Sequence, residues 1–187
     1  LQSDSQGIWL HNFLWSGLDS GGLYELYWWR SHIWGGQKDH RGIYKLVNQF
    51  LSSLDLNKGG FSDWGGTVSN PMIRVTGQKN LKAGSMHLWI QNARHTWKNV
   101  ADGRSIEPVS GEISVSGFQP GATYEVEWWD TYARERTIID VQDVAATATG
   151  ELSIAVGALQ KDVAVKLRAK TRRDQALSER QGWQDVA

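Results

Sequence analysis

Tryptophan is the residue type in this sequence whose abundance points most directly to chemistry. Eleven of the 187 residues are tryptophan, beside five tyrosines and four phenylalanines. Large aromatic side chains dominate core burial, so most of the eleven are expected inside the protein. An excess of this size also favours a sugar-binding surface, because a flat indole ring stacks well on the C–H face of a sugar.

Three tryptophans in the second half of the chain stand among hydrogen-bonding side chains. Trp89 and Trp129 fall on the polar faces of two alternating segments, and Trp97 lies in the polar run of residues 92–99. Exposed aromatic rings beside polar groups are typical of a β-sandwich that binds oligosaccharides. The same rings could instead pack against the preceding part of the chain or within their own domain, and the sequence leaves these interpretations open.

The sequence does not contain the residue patterns expected for a metal site, a cofactor site or a catalytic nucleophile. Without cysteine there is neither a disulfide framework nor a thiolate metal site. His87 and His95 are eight residues apart with no clustered carboxylate, so we predict no metal. The paired glycines lack the spacing of a phosphate-binding loop, and no G-x-S-x-G motif occurs. The sequence therefore predicts no metal and no cofactor.

Charge and hydropathy argue against two further classes of partner. Twenty basic residues balance twenty acidic ones, so no net field favours nucleic acid or an anionic membrane. No apolar run approaches the roughly 18 residues that a membrane-spanning helix needs.

The polar composition of residues 171–187 predicts a solvated tail.

The elements that would position the aromatic residues begin with a helix–strand–helix. Asp4 is a candidate N-cap for an amphipathic helix that runs to about Asp19. Two glycines then lead into an apolar strand over residues 21–30. Asp39 is a candidate cap for a second helix to about Leu54, whose apolar residues repeat at helical spacing.

A single strand between two helices is typical of a parallel α/β sheet, and one strand cannot hydrogen-bond to itself. Residues 1–54 are therefore predicted to be the last part of a (β/α)8 barrel. Its remaining strands are expected upstream of Leu1 or, as the alternative, on a second chain. The unpaired edges of such a strand also predict that the isolated chain forms a homo-oligomer.

The rest of the chain predicts an antiparallel β-sandwich. Residues 55–71 are rich in turn formers and are predicted to be a linker. Residues 72–170 alternate between apolar and polar side chains with period two. The predicted strands cover 72–76, 86–91, 112–116, 123–129, 135–141, 152–156 and 162–168. The predicted fold class is thus an α+β fragment, a barrel remnant followed by an antiparallel β-sandwich.

The order of these motifs resembles the C-terminal portion of clan-A retaining glycoside hydrolases, which have a TIM barrel followed by a small β-sandwich. In the barrel part the resemblance lies in WLHNFLWSGL at 9–18, GG at 21–22 and YWW at 27–29. In the sandwich it lies in LWIQN at 88–92, PG at 120–121, WWD at 128–130 and DVAV at 162–165. The resemblance covers roughly residues 8–168.

This resemblance implies hydrolysis by two glutamates about 5 Å apart. In the family they follow the fourth strand and end the seventh, so both would precede Leu1. Glu25 is the one acid in the strand, and its mid-strand position favours a buried or interface carboxylate over a catalytic role. The resemblance therefore assigns no catalytic residue to this chain.

The resemblance does imply sugar-contacting residues at the end of the strand. A tryptophan that closes the last barrel strand packs under the sugar in the family, and Trp28 or Trp29 matches that position. Arg30, His32 and Trp34 are then candidates for the rim of the sugar site. The alternative is that Trp28 and Trp29 only pack within the barrel.

The function implied by the resemblance is that of a non-catalytic C-terminal piece of a glycoside hydrolase. Its partners would be an oligo- or polysaccharide and the rest of the barrel, in an extracellular or periplasmic setting. An alternative of a different class is a non-catalytic carbohydrate-binding or interaction module. In either case we expect the 187-residue chain not to hydrolyse glycosides by itself.

Overall fold

The computed structural model describes residues 4–19, 34–35 and 38–170. These residues form an α+β protein whose sheets are antiparallel in every described pairing, consistent with a β-sandwich. The predicted strand over residues 21–30 and the predicted tail over residues 171–187 lie outside the described residues.

The described helices are α1 (Ile8–Ser16), α2 (Arg41–Ser52) and α3 (Trp97–Ala101), with a 3₁₀ turn at Leu56–Lys58. Four short strands come early in the chain: β1 (Trp34–Gly35), β2 (Lys38–Asp39), β3 (Ser62–Asp63) and β4 (Thr67–Val68). The longer strands are β5 (Ile73–Asn80), β6 (Ser85–Asn92), β7 (Val109–Ser116), β8 (Thr123–Trp129), β9 (Ile138–Ala145), β10 (Glu151–Leu159) and β11 (Asp162–Ala169).

Two sheets form the sandwich. The larger has the strand order β3-β5-β6-β11-β8-β9, and the smaller has the order β10-β7-β4. The core between them consists mainly of aliphatic residues at alternating positions, such as Leu88, Ile113, Val126, Leu152 and Val165, each fully buried. The period-two prediction is therefore confirmed for this region, because alternate side chains of a strand point to opposite faces.

Aspartate side chains accept hydrogen bonds from the first turns of both longer helices, but the N-cap residues are Gly7 and His40 and not the predicted Asp4 and Asp39. The carboxylate of Asp4 accepts hydrogen bonds from the backbone N–H groups of Ile8 at 3.0 Å and Trp9 at 2.8 Å. Asp39 accepts one from the N–H of Arg41 at 3.1 Å. Each bond satisfies a helix N–H that has no partner within its own helix. Both helices end a few residues before the predicted ends.

The outer face of the larger sheet is covered by α1 and α2. Buried residues of the two helices, Leu10, Leu14, Trp15, Leu46 and Phe50 among them, pack with Trp89, Trp129 and Ala164 of the sheet. The helices therefore belong to a second apolar core that the sandwich shares. The larger sheet is apolar on both faces, whereas β7 and β10 of the smaller sheet expose alternate residues.

Several segments differ from their sequence predictions. Helix α3 was not predicted, and β5 and β10 run past their predicted C-terminal ends. In the predicted linker, β3 pairs with β5 and β4 pairs with β7, so this segment adds a strand to each sheet. Strands of two residues are too short for alternation to reveal them. The strand predicted over residues 135–141 begins later, at Ile138, because residues 130–137 form a loop closed by a bond from Asp130 N–H to Thr137 C=O at 3.0 Å.

Within the part of the chain that the structure describes, none of the helices has the length and apolar composition needed to cross a membrane.

Candidate functional site

The structure divides the sequence-predicted site residues into three groups. Trp28, Trp29, Arg30 and His32 lie outside the described residues, as does the side chain of Trp34. The backbone of Trp34 is described, and it pairs with Asp39 in the two-stranded β1–β2 sheet. The three sandwich tryptophans predicted as sugar-binding candidates, Trp89, Trp97 and Trp129, are described in full.

Trp89 and Trp129 are buried between the larger sheet and the helices, with exposed fractions of 2% and 1%. The ring of Trp129 meets Phe50 of α2 edge to face at a centroid distance of 5.3 Å. Neither ring is exposed to solvent. Of the three interpretations that the sequence left open, the structure therefore supports packing against the preceding part of the chain. A sugar could not stack on either ring without displacing that helix layer.

An aspartate lies at the centre of the polar contacts in this interface. Asp162 begins β11, and its side chain has no exposed surface. Its Oδ1 accepts hydrogen bonds from His11 Nε2 and Trp89 Nε1, each at 2.8 Å, and from Thr131 Oγ1 at 2.6 Å. Its Oδ2 accepts one from the hydroxyl of Tyr132 at 2.9 Å. One carboxylate thus connects α1, β6, β11 and the loop after β8.

Aromatic contacts reinforce the same cluster. The imidazole of His11 stacks on the ring of Tyr132 at a centroid distance of 4.1 Å and an interplanar angle of 16°. His95 approaches Tyr132 edge to face at 5.9 Å, and its Nδ1 lies 4.0 Å from Asp162 Oδ2. We refer to Asp162, His11, Trp89, Thr131 and Tyr132 as the Asp162 cluster.

Opposing electrostatic effects set the charge of the cluster. Burial raises the pKa of Asp162, but the adjacent His11 and the hydrogen bonds from His11, Thr131 and Trp89 outweigh it and leave that pKa below the usual aspartate value. Burial, followed by the negative charge of Asp162, raises the pKa of Tyr132. Asp162 is therefore a carboxylate and Tyr132 a neutral donor at neutral pH.

The geometry assigns the Asp162 cluster a structural role. A carboxylate with four donors and no exposed surface is neither open to a substrate nor free to exchange a proton with one. Removing it would leave those donors buried without an acceptor, which is strongly unfavourable. The cluster fixes the helix layer on the sandwich.

A second set of polar side chains lies on the same face of the sheet. Lys166 of β11 places its ammonium group 4.1 Å from the ring centroid of Trp129 and 4.5 Å from that of Phe50, and it contacts the hydroxyl of Ser53. Burial lowers the pKa of Lys166 to about 8. Burial also lowers the pKa of His87 to about 4, and His87 Nδ1 has no hydrogen-bond partner within the described ranges.

Trp97 lies apart from these contacts. It begins α3 and is half-buried, with the capping hydroxyl of Thr96 accepting a hydrogen bond from Asn99 N–H at 3.2 Å. Together with residues of α1, β5 and β6, it lines a groove of about 370 Å³. Of the three candidates Trp89, Trp97 and Trp129, Trp97 is the one whose side chain is partly exposed to solvent.

Sequence reasoning missed Asp162 and His11 as interacting residues. In the sequence, Asp162 is indistinguishable from the other polar residues of an alternating strand, and His11 is a polar residue within an apolar helix. A signal was present in the composition of the sheet face, because the polar face that holds Asp162 also carries Trp89, Ala164 and Trp129. Such a face is too apolar to be left in water, and an aspartate on it needs buried donors.

Comparisons with known proteins give no assignment. No protein-family model matches the chain, and a comparison with curated protein sequences finds no match. Among the described residues, no three histidine, aspartate or glutamate side chains are grouped so that they could hold a metal ion.

Proposed function

We propose that this chain is the C-terminal part of a clan-A-like retaining glycoside hydrolase, in which a β-sandwich supports the last segment of the catalytic barrel. The observation that carries the proposal is the helix layer on the sandwich. Both α1 and α2 are fixed to the outer sheet face by Trp89, Trp129 and the Asp162 cluster.

A supporting role accounts for the chemistry of that interface. Its aromatic residues and its buried carboxylate resist rearrangement, because separating the layers would expose large apolar rings and unpair several hydrogen bonds. The helices that flank residues 21–30 are thereby held at a fixed position on the sandwich. Fixed flanking helices would keep a sugar-contacting segment between them in register with the rest of a barrel.

The sugar-contacting residues in this proposal are those implied by the family resemblance. Trp28 or Trp29 forms the aromatic floor under the sugar, and Arg30, His32 and Trp34 contribute to the rim. The catalytic glutamates belong to earlier strands of the barrel. The substrate is an oligo- or polysaccharide, and this chain supplies binding surface and mechanical support to its hydrolysis.

The genomic reading frame before the codon for Leu1 tests the proposal directly. The expected result is an in-frame barrel segment with glutamates at the ends of two strands, and purified longer protein that cleaves aryl glycosides. The 187-residue chain should show no such turnover. A start codon near Leu1 would contradict the proposal and favour a non-catalytic carbohydrate-binding or interaction module. Turnover by the 187-residue chain alone would also contradict it.

A further inference from the structure

The groove next to Trp97 is bounded by three separate parts of the fold. Helix α1 contributes Trp9, Asn12 and Phe13, strands β5 and β6 contribute the floor, and α3 contributes Trp97. Its volume of about 370 Å³ falls within the roughly 300–1,000 Å³ typical of small-molecule sites. The Asp162 cluster fixes α1 on the sheet, so the groove is assembled by the same contacts that hold the helix layer.

Flat aromatic surface forms much of the groove. Trp9 and Phe13, one helical turn apart, stack almost in parallel at a centroid distance of 5.2 Å and an interplanar angle of 8°. Trp97 adds an indole from a different element. All three side chains are half-buried. Ring faces supplied by two elements suit a ligand with apolar C–H faces.

The groove also holds polar atoms that have no partner among the described residues. Asn12 Oδ1 and Thr76 Oγ1 are both buried and make no hydrogen bond within the described ranges, although Asn12 Nδ2 donates to the carbonyl of His95 at 3.1 Å. Buried polar atoms without partners are rare, since each costs about 1–3 kcal/mol. Two of them in one groove point to a ligand that both donates and accepts hydrogen bonds.

Strand register places the remaining polar groups side by side on the floor. In the β5–β6 pair Arg74 is opposite Gln91, and Thr76 is opposite Trp89. The side chain of Arg74 is exposed and, among the described residues, has neither an ion pair nor a hydrogen bond. Of the described residues that line the groove, Arg74 is the one that carries a charge.

We infer that this groove is a non-catalytic saccharide-binding site, with Trp97 as a stacking platform and Asn12, Thr76 and Arg74 as hydrogen-bonding groups. A sugar ring offers the C–H faces and the hydroxyl groups that both donate and accept. The described part of the lining offers no carboxylate to a metal ion and a single cation to a phosphate group. The inference does not depend on the proposed function, because a chain with no barrel upstream would keep this groove.

Native affinity electrophoresis of the full chain tests the inference. The probes are soluble xylan, mixed-linkage β-glucan, galactan, arabinan, galactomannan and polygalacturonate, followed by titration calorimetry with the oligosaccharide of any polysaccharide that retards the protein. We expect retardation by at least one probe. Trp97→Ala should weaken the affinity about tenfold or more, as expected for truncation of an aromatic anchor.

A conservative variant separates binding from folding. Thr76→Val removes a hydroxyl that has no partner in the described part of the chain and keeps the side-chain shape, so it should hold or raise the thermal midpoint while weakening saccharide binding several-fold. Thr123→Val, in β8 and outside the groove, is the matched control and should bind like the original chain. Ile139→Ala truncates an exposed side chain outside the groove and is the control for Trp97→Ala, so it should also bind like the original chain.

Two results would overturn the inference. One is the absence of retardation by every probe in the panel. The other is binding that persists unchanged in both Trp97→Ala and Thr76→Val. Neither result bears on the reading frame before Leu1, so failure of this inference is distinguishable from failure of the proposed function.

Discussion

The two faces of the six-stranded sheet are built by different chemistry. Toward the smaller sheet, β6 presents Met86, Leu88 and Ile90, which join an aliphatic core. Toward the helices, the same strand presents His87 and Trp89, together with the hydrogen-bonding amide of Gln91. All of these side chains are buried. The first face packs into a mainly aliphatic core with a few aromatic rings, whereas the second adds imidazoles and the buried carboxylate of Asp162 to its aromatic and aliphatic side chains.

This difference shows how the two interfaces acquire their specificity. An aliphatic core tolerates many exchanges of similar volume, because its attraction is non-directional. Around Asp162 every donor must meet its acceptor, so the helix layer has one favourable position on the sheet. The helix-facing side is therefore expected to be more sensitive to single polar substitutions and to pH.

The largest expected effect is that of removing the central carboxylate. Asp162→Ala should lower the free energy of unfolding by about 3–5 kcal/mol, because four buried donors lose their acceptor. The control Asp55→Ala removes an exposed ion pair with Lys58 and should cost less than about 1 kcal/mol. Urea denaturation of the two variants measures both values. A loss for Asp162→Ala as small as that of the control would contradict the structural role of the cluster.

A matched pair of Leu→Ala substitutions compares the two faces directly. Leu46 of α2 lies in the helix-facing core and Leu152 of β10 in the sandwich core, with exposed fractions of 2% and 0%. Each substitution should cost about 2–5 kcal/mol through lost burial and the cavity left behind. Hydrogen exchange should separate them, because Leu46→Ala should reduce amide protection mainly in α1 and α2, whereas Leu152→Ala should reduce it throughout the sandwich.

The hydrogen-exchange experiment could also show no difference between the two Leu→Ala variants. Equal loss of protection across the whole described chain in both variants would mean that the helix layer and the sandwich unfold as one cooperative unit. The two faces would then differ in chemistry and not in local stability.

The pH dependence of stability should arise on the helix-facing side. His87 is held neutral by burial, with a smaller contribution from the charge of Lys166, so its pKa falls to about 4 in the folded chain against about 6.5 in the unfolded chain. The unfolded chain therefore binds the extra proton between these values, and stability falls as the pH drops from about 6.5 to 4. The loss is at most about 3 kcal/mol.

Thermal midpoints measured at several pH values check this expectation. His87→Gln should flatten the profile between about pH 6.5 and 4. Part of the slope should remain, because burial lowers the pKa of His95 as well. An unchanged profile in the variant would show that His87 is not the titrating group.

The smallest expected effects are those of the helix caps. Asp4 accepts two backbone hydrogen bonds from α1, whereas Thr96 accepts one from α3. Replacement by alanine should cost about 1–2 kcal/mol for Asp4 and about 0.5–1 kcal/mol for Thr96, since each removes a partner of a terminal N–H. Denaturation midpoints rank the two, and a larger loss for Thr96→Ala would contradict the ranking.

The sandwich strands and the two longer helices could be predicted because each depends on local sequence. Period-two alternation predicted β8 and β11 closely, and apolar stripes predicted α1 and α2, although their N-caps are not the predicted aspartates. The strands β3 and β4 could not be predicted, because two residues carry no periodicity and their pairing partners are distant in sequence.

The candidate groove could be predicted only in part. Trp97 was identifiable as an aromatic residue in a polar run, and its accessibility agrees with that. Arg74 and Thr76 belong to a strand whose predicted range was 72–76, and nothing in that range indicated which helix would lie beside them. Asn12 comes from α1, more than sixty residues earlier in the chain.

The sequence by itself determined which side chains of each long strand share a face, because alternation is a property of the extended backbone. It also determined the positions of α1 and α2 through their apolar stripes. Tertiary structure alone decided what the second face of the larger sheet would meet. Only when α1 packs on that face does Asp162 gain its donors, and only then do Asn12, Thr76 and Trp97 line one groove. These contacts join residues that are far apart in the chain, and no local pattern specifies such a pairing.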